Sequence, residues 1–552
     1  MSLQPQAIAP IPEETQRVAR AAFPKGNLYL RLRDEIGTLF EDPLFAPWFP
    51  SRGQPAESPW RLALITVMQF VEGLSDRQAA EAVRARIDWK YALSLELTDP
   101  GGDASVLCEF RTRLVDGEAG PRLLEAMLSR FQERGLLKAR GQQRTDSTHV
   151  LAAIRTLNRL ESVGETLRAA LNSLATAAPD WLASVAAPAW FERYAIRIEE
   201  YRLPKGEAAR TALGEQIGTD GHALLAAVYE PTAPTWLREL PAVETLRQAW
   251  VHQFFLEDDV VRWRKAADLP PVRTRFDSPY DTDARYGNKR STTWTGYKVH
   301  VTETCDSDAP HLLVHVETTP APITDSDLTA PIHQALADKG LTPTTHLADA
   351  GYVDADLLVT SQTQHGIELL GPVRPDVSWQ AKAGQGFDVS AFVIDWEACQ
   401  VTCPTGQRSV DWTPTRDKWG NATIHIGFHR PTCAACLSRP LCTRAKADPR
   451  ELTLRPRPLH EALQNVRGRQ ETEAWRAQYG KRAGVEGTLS QAVRAFGLRR
   501  CRYRGLPKTQ LQHVFTAIAI NVVRLDAWLN ERPFAKTRRS AFASLAPTAG
   551  AA

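Results

Sequence analysis

The sequence predicts an α/β protein of several folding units: a mixed-sheet core with a helical region before it, and a helical insertion and a cysteine-bearing insertion within it. Three observations lead there. The chain has 552 residues, more than one ordinary hydrophobic core organises. Short strand-like runs recur in QRTDSTHV, TTWTGYKVHVTETC, HLLVHVETT (311–319), the start of TTHLADAGYVDADLL, and GIELLGPV (366–373), separated by long tracts with helical apolar spacing. Five of the eight cysteines fall between 399 and 442.

The elements follow in order. Residues 1–25 are Pro-rich and read as a flexible arm, and 26–140 as a helical N-terminal domain. Within it, SPWRLALITVMQFVEGLSDRQAAEAVRARIDWKYALSL holds two amphipathic runs split by GLS, and Ser75 with Gln78 has the spacing of a capping box. That outline fits a helix-turn-helix or an ordinary helical hairpin. QRTDSTHV then reads as a strand with Asp146 in its middle, followed by a helical insertion over 155–270. In TTWTGYKVHVTETC, Tyr297, Val299 and Val301 alternate with Lys298, His300 and Thr302, and HLLVHVETT reads as the partner strand across a CDSDAP turn. A helix ends on Gly340; THLADAGYVDADLL gives a strand, Asp349 and a Gly351 turn into a helix; GIELLGPV is one more strand. The cysteine insertion spans 390–445 in loop-like surroundings with little core, 455–535 is helical, and 536–552 lacks apolar mass and reads as disordered. No internal repeat is present.

Composition narrows the class. Hydrophobic residues are 43% and charged residues 24%, with a net charge of +3. No apolar run reaches the roughly 18 residues of a membrane span, so LALITVM and VFTAIAINVV read as buried helices. MSLQPQAIAPIPEE has no basic stretch followed by an apolar one, so no secretory signal is read. The sparse cysteines point to a reducing, cytoplasmic setting with the cluster available for metal.

Asp146 gains meaning from two distant acids. Asp349 ends a strand before a glycine turn, the edge of a mixed sheet where ligands collect. Glu486 lies beside the stripe Val485, Leu489, Val493 and Phe496, with Arg482 four residues earlier on the same side. Three carboxylates suit two magnesium ions, which prefer hard oxygen ligands and, at roughly 3.5–4 Å apart, serve in-line displacement at phosphorus. Asp325, Asp327, Asp354 and Asp356 are neighbouring acids left outside this set, and His149 reads as structural.

The order strand-Asp, hairpin, strand-Asp, helix-Glu resembles the DDE transposases of bacterial insertion sequences, over about residues 26–530. TDSTHV is similar to their first-Asp motif, LADAGYVDAD to the second, and YGKRAGVEGTLSQAVRAFGLRRCRYRGLPKTQLQHVFTAIAINVVRL to the Glu region; GYKVHV matches a core strand. The resemblance implies an RNase H-like core over 141–535, with Asp146, Asp349 and Glu486 as catalytic acids binding Mg2+ or Mn2+. Tyr479, Arg482 and Glu486 fit the spaced Tyr, Arg, Glu, Lys pattern of related helices. Val493 stands where Lys is expected, so Arg494 or a later cation takes the phosphate contact.

Residues 481–508 carry Lys481, Arg482, Arg494, Arg499, Arg500, Arg502, Arg504 and Lys508 against one acid, Glu486. Such a one-sided field favours a polyanion, and Tyr503 among them could stack on an unpaired base. Cys399, Cys403, Cys433, Cys436 and Cys442 are candidates for one structural zinc, with five thiols for four positions. Cys108, Cys305 and Cys501 read as packing residues.

The expectation is a DNA transposase that cleaves phosphodiester bonds at transposon ends and joins the 3′-hydroxyl ends to target DNA. Its partner would be double-stranded DNA, its assembly on DNA a homodimer or higher, with no membrane. The alternatives are a non-catalytic DNA-binding protein derived from a transposase, and a metal-dependent nuclease of the same fold.

Overall fold

The computed structural model describes residues 1–533 and Phe542, so the tail expected to be disordered lies, Phe542 apart, outside the described residues. The described residues form two compact units, one of Met1–Leu137, Asp306–Leu313 and the described residues from Val514 on, the other of Lys138–Cys305 and Val314–His513.

The first unit is helical. The helix Pro59–Glu72 starts on a proline, whose missing N–H costs nothing there, and stops at Gly73 with φ 70°. It is buried almost all round, and Phe70 stacks on Phe515 at 5.7 Å. The next helix, Asp76–Ala85, begins with the expected capping box: Ser75 accepts from the Gln78 amide while Gln78 Oε1 accepts from the Ser75 amide at 2.9 Å. One difference lies near the N-terminus. Glu13–Ala22, read as part of a flexible arm, is a helix with Ala19 fully buried and the Thr15 hydroxyl donating to the Leu95 carbonyl at 2.8 Å. Prolines flank this helix rather than interrupt it.

The second unit is built on a six-stranded mixed sheet. Its strands are β1 (Gln142–Leu151), β2 (Arg285–Lys289), β3 (Thr292–Thr304), β4 (Leu313–Pro320), β5 (Thr345–Ala348) and β6 (Glu368–Leu370). The order is β2-β3-β1-β5-β6, with β4 also on β3. β3 runs antiparallel to β1, setting Val301 opposite Asp146, whereas β5 runs parallel to β1 and β6 to β5. This is the RNase H-like core with its helical region and insertions. The polar positions of β3 are buried too: His300, Thr302 and Glu303 have no exposed surface. Each is tied internally, His300 to Tyr352 at 2.6 Å, Thr302 to Thr145 at 2.7 Å and Glu303 to Arg144 at 2.7 Å. His300 and Thr302 share one face and Glu303 joins Val299 and Val301 on the other, so both faces are covered and their polar groups are satisfied internally.

The helical insertion contains Arg159–Ala177, Glu207–Tyr229 and Pro241–Gln253, packed around a core that includes Leu167, Leu224 and Trp250. Its end differs from the expected helix: Phe254–Glu257 and Val260–Trp263 form a hairpin. Asp258 and Asp259, with φ 48° and 60°, supply the two left-handed residues of the tight turn. The cysteine insertion also exceeds expectation. It has the hairpin Val393–Asp395/Gln400–Thr402, a three-stranded sheet of Ser409–Arg416, Ala422–Phe428 and Glu451–Leu454, and its own core of Phe392, Val401, Ile426, Phe428, Leu452 and Leu454. Among the described residues no helix is long and apolar enough to cross a membrane.

Candidate active site

Residues two apart on a strand share a face, and β1 uses this period to build the site. Arg144, Asp146 and Thr148 each meet the segment that carries Glu486. Arg144 donates to the Lys481 carbonyl at 2.6 Å, Asp146 accepts from Arg482 at 3.2 Å, and Thr148 accepts from Arg499 at 2.9 Å. Thr145 and Ser147 on the other face meet His346 at 2.6 Å and Asp325 at 3.2 Å.

The Asp146 side chain is 13% exposed. Burial pushes its pKa up; the Ser147 amide opposes this, the Asp349 charge adds to it, and Arg482 and Lys289 oppose it. Asp349 follows β5, its Oδ1 accepting from the Gly351 amide at 2.8 Å. A Cβ at residue 351 would stand 3.0 Å from Asp349 Oδ1 and 3.1 Å from Asp325 Oδ2, so glycine here lets both acids approach without crowding. Glu486 lies in the first turn of the helix Gly484–Phe496, where the helix dipole favours a carboxylate, and its side chain is 63% exposed. Arg482 donates to it at 2.7 Å. Burial works against the Arg482 charge, but Tyr479, Asp146 and Glu486 outweigh it and hold the guanidinium well protonated. Arg482 lies over the Tyr479 ring at 5.8 Å, and Tyr479 stacks on Trp475 at 4.8 Å.

Asp146 and Glu486 thus meet at Arg482, and the Asp349 charge acts on Asp146. They do not close into a cage: among the described residues no group of three or more His, Cys, Asp or Glu is disposed to hold a metal ion. The donor set nevertheless suits a hard divalent ion, because Asp146 and Glu486 already share one cation and the Asp349 charge is felt at Asp146.

A buried ion pair fixes the Glu486 helix to the sheet. Arg144 and Glu303, with side chains 7% and 0% exposed, pair at 2.7 Å, and Thr488 donates to the other Glu303 oxygen at 2.7 Å. Gly484 is required at this crossing, since a Cβ there would overlap the Arg144 guanidinium. The buried helical stripe is Val485, Leu489, Ala492 and Phe496; Val493, expected in it, is only half-buried.

Of the predicted cations, Arg494, Arg499, Arg500, Arg502, Arg504 and Lys508 are exposed, and Tyr503 is half-buried. The Arg499–Cys501 segment runs along the end of β1, through Leu151 N to Arg499 O at 2.8 Å and Cys501 N to Leu151 O at 3.0 Å. This brings the Arg499–Arg504 group to the strand that carries Asp146, whereas Arg494 and Lys508 have no such tie to β1 among the described residues. His149 stacks near Trp294 at 5.4 Å, a structural place.

Asp325, outside the predicted set of acids, lies beside the strand of Asp146 and accepts from Ser147 at 3.2 Å. It is 11% exposed, 3.2 Å from Lys298 and 3.7 Å from Lys289, and although burial pushes the other way these lysines and His300 hold its pKa low. The available signal was Lys298 inside an otherwise buried strand, which needs a partner.

In the cysteine insertion, Cys403, Cys433, Cys436 and Cys442 line one pocket of about 40 Å³. Burial pushes the Cys442 thiol up; Arg450 opposes, and the three neighbouring sulfurs add to the rise. Cys399 stands apart, exposed, its thiol directed to the Trp396 carbonyl at 3.7 Å. His425 is engaged by Asp411 at 3.0 Å and Glu451 at 3.5 Å. Cys305 packs with Leu347, Leu370 and Trp475, and burial pushes the Cys501 thiol to about 11; Cys108, expected to pack, is exposed.

A sheet of this order, with acids on its first strand and after its fifth, defines a protein of the RNase H-like class. Residues 402–526 match the family described as Transposase DDE domain, a span that includes Glu486 and four of the insertion cysteines but neither Asp146 nor Asp349. Residues 17–113 match Transposase domain (DUF772). Among curated proteins none matches the chain. The two matches, each over part of the chain, indicate a DDE-type transposase of the insertion-sequence kind.

Proposed function

We propose that the protein cleaves phosphodiester bonds at the ends of its element and joins the freed 3′-hydroxyl ends to target DNA, using Asp146, Asp349 and Glu486. The observation that carries this reading is the meeting of strand acid and helix acid at Arg482, with the Asp349 charge reaching Asp146. Magnesium or manganese held by these carboxylates would supply positive charge for the attacking and leaving oxygens at phosphorus. The chain's own part is positioning: the Arg144–Glu303 pair fixes the Glu486 helix, and Tyr479, Arg482, Arg494, Arg499, Arg500, Arg502, Tyr503, Arg504 and Lys508 bind and orient the DNA.

In this reading residues 26–140 bind end DNA or a second copy, 141–535 form the catalytic domain, and the protein acts in the cytoplasm as a homodimer or higher, because an element has two ends. A zinc ion on the insertion cysteines would be structural; the shared pocket favours Cys403, Cys433, Cys436 and Cys442 over Cys399. Gel-based cleavage and joining with the element's own ends and Mg2+ tests the function. Cut ends joined to a plasmid are expected; hydrolysis without joining makes the protein a nuclease, and binding without cutting makes it a DNA-binding derivative.

A further inference from the structure

A cleft of about 980 Å³ opens beside the acids, and the basic run 481–508 takes no part in its lining. Five cations line it from separate elements: Lys289 ends β2, Lys298 lies on β3, Arg374 follows β6, Arg455 leaves the cysteine insertion, and Arg467 lies on the helix Arg457–Arg469. Asp325, Asp354 and Asp356 are the carboxylates of its lining. Two of them are committed elsewhere, Asp325 to Lys298 and Lys289, and Asp354 to capping the helix Ala355–His365 through the Leu357 amide at 2.8 Å. With Lys289 and Lys298 sharing Asp325, the five cations still outnumber the three carboxylates, and Arg374, Arg455 and Arg467 make the lining positive. Arg467 donates to the Arg374 carbonyl at 3.3 and 3.2 Å, which joins two walls and leaves the exposed Arg374 guanidinium to the cleft.

Two observations tie the cleft to the chemistry. Gly351, part of its lining, is the turn glycine between Asp349 and Asp325, and the Lys289 charge acts on Asp146. A strand backbone passing the acids would have cations on both sides, Arg499–Arg504 beside the end of β1 and these five in the cleft.

We propose that this cleft binds a second tract of DNA backbone: the duplex that continues beyond the scissile phosphate, outside the element end. The inference rests on the transposase reading and adds to it a separate site for the flank, part of whose wall the cysteine insertion and the helix after it supply. Phosphate oxygens are the recognised chemistry, so the contribution is independent of flank sequence and sensitive to salt.

The test compares two duplexes, one ending at the cleavage point and one carrying flanking DNA, bound by the full chain over a range of salt. The Arg374→Ala/Arg455→Ala variant should lower the slope of log affinity against log salt by about two for the flanked duplex, since each phosphate left without its cation accounts for roughly 0.9. It should leave the unflanked duplex unchanged. Arg374→Glu, a charge reversal at an exposed position whose structural tie is its backbone carbonyl, should weaken the flanked duplex selectively as well. Equal losses on both duplexes, or none on the flanked one, would overturn the cleft assignment. A wild-type chain that binds neither duplex overturns the transposase reading itself.

Discussion

Arg482 joins Asp146 to Glu486: one guanidinium nitrogen lies 3.2 Å from the strand carboxylate and another 2.7 Å from the helix carboxylate. Acid and base are 336 residues apart in sequence across the first contact and one helical turn apart across the second. A cation shared by two carboxylates marks where positive charge is favourable, and it competes with any divalent ion for the same oxygens. Arg482→Gln should therefore bind Mn2+ more tightly in the absence of DNA, on the order of tenfold. A unit charge at close range contributes up to about 4 kcal/mol at an effective dielectric of 20, so tenfold is a modest share. Titration calorimetry reads this directly; unchanged or weaker binding contradicts the competition.

The buried Arg144–Glu303 pair should dominate the stability of the Glu486 helix. Glu303→Ala leaves the Arg144 charge without its main counterion and should cost about 3–5 kcal/mol in urea unfolding. Gly484→Ala should be destabilising for the same reason, because the new methyl displaces the guanidinium. An unfolding midpoint unmoved in both variants would show that the pair does not anchor the helix.

Acid should destabilise the second unit through its buried imidazoles. Burial holds His300 and His333 at about 4 and His346 well below its ordinary value, with His346 bonded to Thr145 at 2.6 Å and to His333 at 2.7 Å. These groups stay neutral when folded but take up protons when unfolded. Stability is thus fully present above about pH 6.5 and is lost as pH falls toward about 4. His346→Gln should flatten that dependence by roughly 1.4 kcal/mol per pH unit, one proton's worth. Parallel wild-type and variant curves would exclude His346 from the effect.

The insertion should hold about one zinc per chain, in keeping with four thiols around one small pocket. Cys433→Ser should lose the metal and Cys399→Ser should keep it. Metal analysis of protein purified without chelator decides; no zinc in the wild-type chain, or loss in Cys399→Ser, contradicts the ligand set.

Much of this site was legible in the sequence because its carriers obey simple periods. Asp146 lies in a period-two strand, Asp349 before a Gly351 turn, and Glu486 beside a helical stripe that runs through Ala492 where Val493 was expected. What escaped were polar groups whose partners are distant. His300 alternates with Val299 and Val301 just as a solvent-facing residue does, Arg144 and Glu303 sit between polar neighbours, and only the fold shows each one buried and paired. In the sequence Asp325 is one acid among several; the fold sets Lys298 and Lys289 beside it. The 254–263 hairpin was hidden because its turn uses two aspartates instead of glycine.

The central claim is that Asp146, Asp349 and Glu486 together bind the divalent ions that serve strand cleavage. The most direct measurement is anomalous scattering from Mn2+ in crystals of the full chain with an uncut element end. The account predicts a manganese signal among these three side chains, lost in Asp146→Asn while the DNA stays bound. Ordered DNA with manganese elsewhere, or a signal that survives Asp146→Asn unchanged, would contradict it.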